Sequence, residues 1–177
     1  TCKGAFCICW DCGMISEQSW NLLYAKMVNN MKKLILVRYG QYENGHLTEE
    51  GIRVMNLSGE RLKLYVEENK LAIVASSMPR AFESGKIVAD ILGIELVVND
   101  SLYAAEEDGN FPDTTQAKEF IESFGDDIEI LVAIASREYI ETLPAYILDH
   151  PIETHLERGE CLVVDYESKN ISYLKDN

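Results

Sequence analysis

Two short stretches, KLILVR at 33–38 and EILVAIA at 129–135, are apolar at consecutive positions rather than at alternate ones. A strand wetted on one face alternates apolar with polar residues. An unbroken run of this length marks a strand covered on both faces, as in a parallel sheet flanked by helices. That requirement selects a layered α/β architecture, and the segments between the runs agree with it.

After 33–38 comes a polar loop, and then a helix signal. Thr48 is placed to cap, Glu49 and Glu50 suit the positive end, and Ile52, Met55, Gly59, Leu62 and Val66 repeat at three- and four-residue steps as a core-facing stripe. A second strand at 71–75 leads through Ser76-Ser77-Met78-Pro79-Arg80 into a helix marked by Ala81, Ser84, Ile87, Val88 and Ile91 and stopped by Gly93. Residues 94–98 read as a third strand, 115–124 as a helix ended by Gly125, and 138–148 as a further helix. The runs 161–166 and 171–174 read as a terminal hairpin.

The 30 acidic residues outnumber the 16 basic ones, giving a net charge of −14. Such a chain repels nucleic-acid backbones and anionic membrane surfaces, so neither nucleic acid nor membrane is an expected partner. No apolar run approaches the roughly 20 residues that span a bilayer, and the start lacks the layout of a secretory signal. A disulfide scaffold is not expected either, and a reducing cytoplasm is the simplest address.

Residues 1–30 differ in character from the rest of the chain and read as a leader or extension, with the folded domain expected over 31–177. Cys9-Trp10-Asp11-Cys12-Gly13 has the look of a zinc knuckle that Cys2 and Cys7 could complete as a four-thiolate site, although the Cys2–Cys7 spacing is wider than usual. No other motif calls for a cofactor.

In open α/β sheets ligands sit at the carboxyl ends of the strands. Arg38, Arg80 and Ser136 all follow strand ends. Guanidinium groups grip phosphate oxygens and stay charged at any working pH, so two of them on one rim of so acidic a chain suggest a local anion pocket; each can equally serve as a surface ion-pair partner.

The order and spacing of Arg38-Tyr39-Gly40-Gln41, Leu47-Thr48-Glu49-Glu50-Gly51 and Ser76-Ser77-Met78-Pro79-Arg80-Ala81-Phe82-Glu83-Ser84 resemble the histidine-phosphatase (phosphoglycerate-mutase-like) superfamily. The likeness covers nearly all of 31–177 and is greatest to the small bacterial phosphohistidine-phosphatase branch. It implies a three-layer α/β/α sandwich with a mostly parallel central sheet. It also implies that Arg38 and Arg80 bind phosphate, with the Ser77 hydroxyl able to add a neutral hydrogen bond.

The sequence departs from the family where the chemistry should be. The family opens on Arg-His-Gly, whose histidine carries the phosphoryl group; here that position is Tyr39. A second histidine closes the later strand in a Val-Ser-His pattern, and the alignment, supported by Tyr139, Ile140 and Leu143, puts Ser136 there. The family's proton-donating acid aligns with Ala104, leaving Glu106 and Glu107 as nearby substitutes. A phenol titrates near 10 and an alkyl alcohol far higher, so neither replacement is a good nucleophile unaided. Two guanidinium neighbours are expected to lower the Tyr39 pKa. His46, His150 and His155 read as loop histidines.

These residues imply a degenerate histidine-phosphatase-like protein that binds phosphate or a phosphomonoester, a phosphorylated protein included, with little or no hydrolysis. One alternative is an active phosphomonoesterase with Tyr39 as an unconventional nucleophile, or a directly activated water, and Glu106 or Glu107 as acid. Another is a non-catalytic interaction module whose acidic surface meets a basic partner.

Overall fold

The computed structural model describes residues 31–66, 70–104, 112–124 and 128–174. The candidate zinc cysteines Cys2, Cys7, Cys9 and Cys12 and the candidate acids Glu106 and Glu107 lie outside them. Among the described residues no group of His, Cys, Asp and Glu is placed to hold a metal ion. No helix there is long and apolar enough to cross a membrane.

In chain order the elements are β1 (Lys33–Arg38), β2 (Tyr42–Glu43), β3 (His46–Leu47), α1 (Glu49–Val66), β4 (Leu71–Ala75), α2 (Pro79–Leu92), β5 (Leu96–Val98), a 3-10 turn (Asp100–Leu102), α3 (Thr114–Glu122), β6 (Ile130–Ala135), α4 (Arg137–Leu148), β7 (Cys161–Asp165) and β8 (Asn170–Leu174). The main sheet has the order β5-β4-β6-β1-β7-β8. β6 pairs in parallel with β1 and with β4, and β5 pairs in parallel with β4, while β7 and β8 close one side antiparallel.

The continuous apolar runs are divided between two cores because successive strand side chains point to opposite faces. Leu34, Leu36, Leu131, Ala133 and Ala135 join Tyr139, Ile140 and Leu143 of α4 and Ile121 of α3 on one face. Ile35, Val37, Ile130, Val132 and Ile134 join Met55 and Leu62 of α1 and Val88 of α2 on the other. The result is the three-layer arrangement with a mostly parallel sheet.

Local signals explain the helix ends. The Gly51 amide donates to the Thr48 hydroxyl at 3.1 Å, the N-cap bond expected of that threonine. Gly93 ends α2 in the left-handed conformation at φ 72°, where glycine carries no Cβ penalty. Along α1, Met55, Gly59, Leu62 and Val66 are buried as expected. Ile52 is 44% exposed instead.

Pro144 sits inside α4 and removes the backbone N–H that would bond the carbonyl of Ile140. That buried carbonyl accepts a hydrogen bond from the Thr154 hydroxyl at 2.5 Å. The supposed polar loop after β1 contains a small hairpin, β2 with β3, joined by Asn44 and Gly45 at φ 51° and 86°. Two positive φ values in a two-residue loop match the twist of the flanking strands, and Asn-Gly is the pair that tolerates them.

Candidate phosphate-binding site

Strand register sets the site's frame. Arg38 pairs with Ala135 and Ala75 with Ile134, so β1, β4 and β6 end on one line. Tyr39, Ser76 and Ser136 therefore leave adjoining strands at the same rim.

The three motifs are fastened to one another. Ser84 of α2 accepts the Gly40 amide at 3.2 Å and donates to the Arg80 carbonyl at 2.7 Å. Glu83 accepts the Leu47 amide at 2.8 Å and pairs with His46 Nδ1 at 2.5 Å, which pins the hairpin to α2. Burial alone would raise the Glu83 carboxyl, but the backbone hydrogen bond and His46 together hold it below the usual range. Gly40 and Gly51 are back to back: a Cβ on Gly51 would lie 2.1 Å from the Gln41 carbonyl oxygen, and one on Gly40 2.6 Å from that of Gly51. These contacts give physical reasons for the Glu-Ser and glycine positions of the motifs.

Arg80 and Tyr39 are both buried, each 7% exposed. The Arg80 guanidinium hydrogen-bonds the Tyr39 side chain, and its Cζ lies 5.3 Å from the Tyr39 ring centroid and 4.2 Å from that of Tyr42. Burial raises the Tyr39 phenol above its ordinary range, outweighing the hydrogen bond and charge of Arg80 that pull it down. Arg80 acts in the expected direction, but the net shift is upward and not downward as expected: the ring sinks into the core beside Val37 and Met55, where desolvation of a phenolate dominates.

Arg38 directs Nη1 to the Leu156 carbonyl at 2.6 Å, and its Nε is buried with no partner among the described residues. Ser136 is the N-cap residue of α4 but makes no side-chain cap bond; its buried Oγ has no partner among the described residues. A buried donor in that state is normally satisfied by water or a ligand. Ser77 is exposed, and its backbone amide donates to Asp100 Oδ1 at 2.8 Å. Ala104 is buried in the core under α4. The Tyr139 hydroxyl accepts the Asp113 amide at 3.2 Å and donates to the Ser101 carbonyl at 3.1 Å.

Two residues that sequence reasoning passed over also face Tyr39. Glu138, in the first turn of α4, raises the Tyr39 pKa through its charge. Arg158 donates Nη1 to the Gly40 carbonyl at 3.2 Å, with Cζ 5.5 Å from the Tyr39 centroid and 4.7 Å from the Tyr42 centroid. It also lines a groove of about 480 Å³ with Arg53, Leu57, Arg61 and Tyr173. A glycine after an arginine in a turn before the last hairpin is too common a pattern to have singled it out.

No family model matches the chain, and no curated protein matches it. Solved structures do. The protein histidine phosphatase SixA complexed with tungstate superposes with a TM-score of 0.66 at 16% identity, covering 80% of this chain and 93% of that one. The mycobacterial glucosyl-3-phosphoglycerate phosphatase complexed with VO3 gives 0.60 at 16% identity, over 80% and 96%. Phosphoglycerate mutase from Plasmodium falciparum gives 0.59 at 22% identity, over 84% and 92%.

Proposed function

We propose that this chain, which has the histidine-phosphatase fold, holds a phosphate or phosphomonoester at the rim formed by Arg38, Tyr39, Arg80 and Ser136 and hydrolyses it little or not at all. The observation that carries this reading is the pairing of Tyr39 with Arg80: a buried cation adjoins a phenol whose ionisation is pushed up. At neutral pH that phenol is a neutral hydrogen-bonding group rather than an anionic nucleophile. The buried Arg38 Nε and Ser136 Oγ supply hydrogen-bonding capacity that a phosphate would satisfy. Two proteins of the same fold are known with oxyanions of metals, one with tungstate, which is tetrahedral like phosphate, and one with VO3.

Such a site separates binding from turnover. Guanidinium groups hold the dianion at any working pH. Without an imidazole no labile phosphoryl-enzyme bond forms, and the loss of a nucleophile costs orders of magnitude in rate. A phosphorylated protein side chain fits this ligand class as well as a small phosphomonoester does.

The test has two parts. Phosphate or orthovanadate is expected to raise the melting temperature, by the equivalent of about 2.7 kcal/mol at one hundred times the dissociation constant, and Arg80→Ala to abolish the shift. An unchanged melting curve at tens of millimolar phosphate would instead favour an interaction module. Steady-state hydrolysis of an aryl phosphate is expected to be negligible. Robust turnover lost in both Arg38→Ala and Tyr39→Phe would establish Tyr39 as a working catalytic group.

A further inference from the structure

Arg158 stands to the tyrosine pair much as Arg80 does. The Cζ atoms of the two arginines lie 5.5 and 5.3 Å from the Tyr39 centroid and 4.7 and 4.2 Å from the Tyr42 centroid. The turn that carries Arg158 is stitched to the first motif on both sides. The Gly159 amide donates to the Arg38 carbonyl at 2.8 Å, the Arg38 amide to the Glu160 carbonyl at 3.1 Å, and Arg38 Nη1 to the Leu156 carbonyl at 2.6 Å. The Ser58 hydroxyl fixes Gly159 from α1 at 2.5 Å. The backbone of the turn is thus fixed beside the first motif, and the Arg158 side chain is directed by its bond to the Gly40 carbonyl.

Its guanidinium is also chemically available. One of its five N–H donors goes to the Gly40 carbonyl, and among the described residues no carboxylate pairs with it. Tyr39 and Ser136, at the positions aligned with the family's histidines, are uncharged, so Arg158 adds a cation to those that Arg38 and Arg80 supply. The buried Ser136 Oγ without a partner is an independent sign that the rim has hydrogen-bonding capacity to fill.

We propose that Arg158 is a third anion-binding guanidinium of this pocket, and that it makes the pocket prefer doubly charged phosphomonoesters over singly charged sulfate esters. The proposal rests on the phosphate-binding reading above. At the same distance a third cation attracts a dianion about twice as strongly as it attracts a monoanion, so it adds more to phosphate-ester affinity than to sulfate-ester affinity.

Calorimetric titration at pH 8 with phenyl phosphate, a dianion, and phenyl sulfate, a monoanion of similar shape, tests it. Wild type is expected to bind the phosphate more tightly than the sulfate. Arg158→Gln is expected to lose about tenfold or more in phosphate affinity and to narrow the ratio between the two ligands. Wild-type affinity and ratio in that variant would overturn the proposal while leaving the phosphate-binding reading intact; absence of phosphate binding by wild type would overturn both. If the variant lost its cooperative melt, the wild-type protein labelled with 15N-arginine would decide. A shift of the Arg158 Nε resonance at saturating phenyl phosphate supports the proposal, and an unmoved resonance sinks it.

Discussion

The hydroxyl of Ser84 accepts the Gly40 amide at 3.2 Å, joining the helix that carries Arg80 to the loop that carries Tyr39, just beyond Arg38 at the end of β1. The same hydroxyl donates to the Arg80 carbonyl, so it has two buried partners and both belong to the rim. Ser84→Ala strands the Gly40 N–H in the interior. The expected cost is about 1–3 kcal/mol by denaturant unfolding, with weaker phosphate protection, and a loss below a few tenths would show that the bond does not hold the motifs together.

Pro144 and Thr154 form a second testable unit. Thr154→Val keeps the shape but leaves the Ile140 carbonyl without its donor, and a loss of about 1–3 kcal/mol is expected. Pro144→Ala restores a helix N–H to that carbonyl. In the Pro144→Ala background the cost of Thr154→Val should shrink, and strict additivity of the two changes in a double-mutant cycle would refute the coupling.

Introducing the two histidines of the family that the sequence resembles provides a third test. Tyr39→His with Ser136→His is expected to yield more aryl-phosphate hydrolysis than either change alone, in a non-additive way, because one imidazole attacks while the other stabilises charge on the transferring group. Recovery is expected to be partial if the family's acid position is Ala104, as the alignment gives it, since an alanine has no proton to donate. Adding Ala104→Glu should then help most with poor leaving groups. Equal rates for the double variant and the better single one would contradict this assignment of positions.

Alkaline pH should unfold this protein through groups that the core keeps protonated. Burial pushes the Cys161 thiol up to about 12 and raises the Tyr39 phenol above its ordinary range. For a group whose folded pKa is raised, the stabilisation is complete below the unfolded pKa and is lost as pH climbs through the folded one. For the thiol the loss therefore begins near its ordinary value of 9.0 and runs toward 12. Melting temperature should fall over that window and fall less steeply in Cys161→Val; parallel curves for the two proteins would show that the thiol plays no part.

The layered fold was legible because its cause is local and repetitive. Consecutive apolar residues at 33–38 and 129–135 admit few burial solutions, and Thr48 and Gly93 end helices by chemistry visible in the residues beside them. The rim's backbone positions followed from the same strand ends. What was not legible depends on contacts between distant segments. Ile52 satisfies the helical period yet is left at the surface beside the buried Gly51. Arg158 reaches Gly40 only after four of the six strands of the main sheet have been laid down, and Thr154 completes a bond that Pro144 left open ten residues earlier. The direction of the Tyr39 shift also required the fold, since charge and burial oppose each other and only packing decides between them. The Asn44-Gly45 turn, by contrast, was signalled by its residues and was read only as loop.

The central position of β1 has a consequence for how the protein is made. Lys33 pairs with Ile130 on one side and with Asp165 on the other, so the strand carrying Arg38 finds neighbours only far along the chain. Pairings of such sequence separation must overcome loop-closure entropy before they return any stability, which slows folding. A growing chain therefore displays Arg38 and Tyr39 early but owns no rim until β6 and the Ser136 that follows it have been made, and β1 lacks its second neighbour until residues 161–165 follow. Phosphate protection should accordingly be among the last properties to appear during refolding, after helix content has returned.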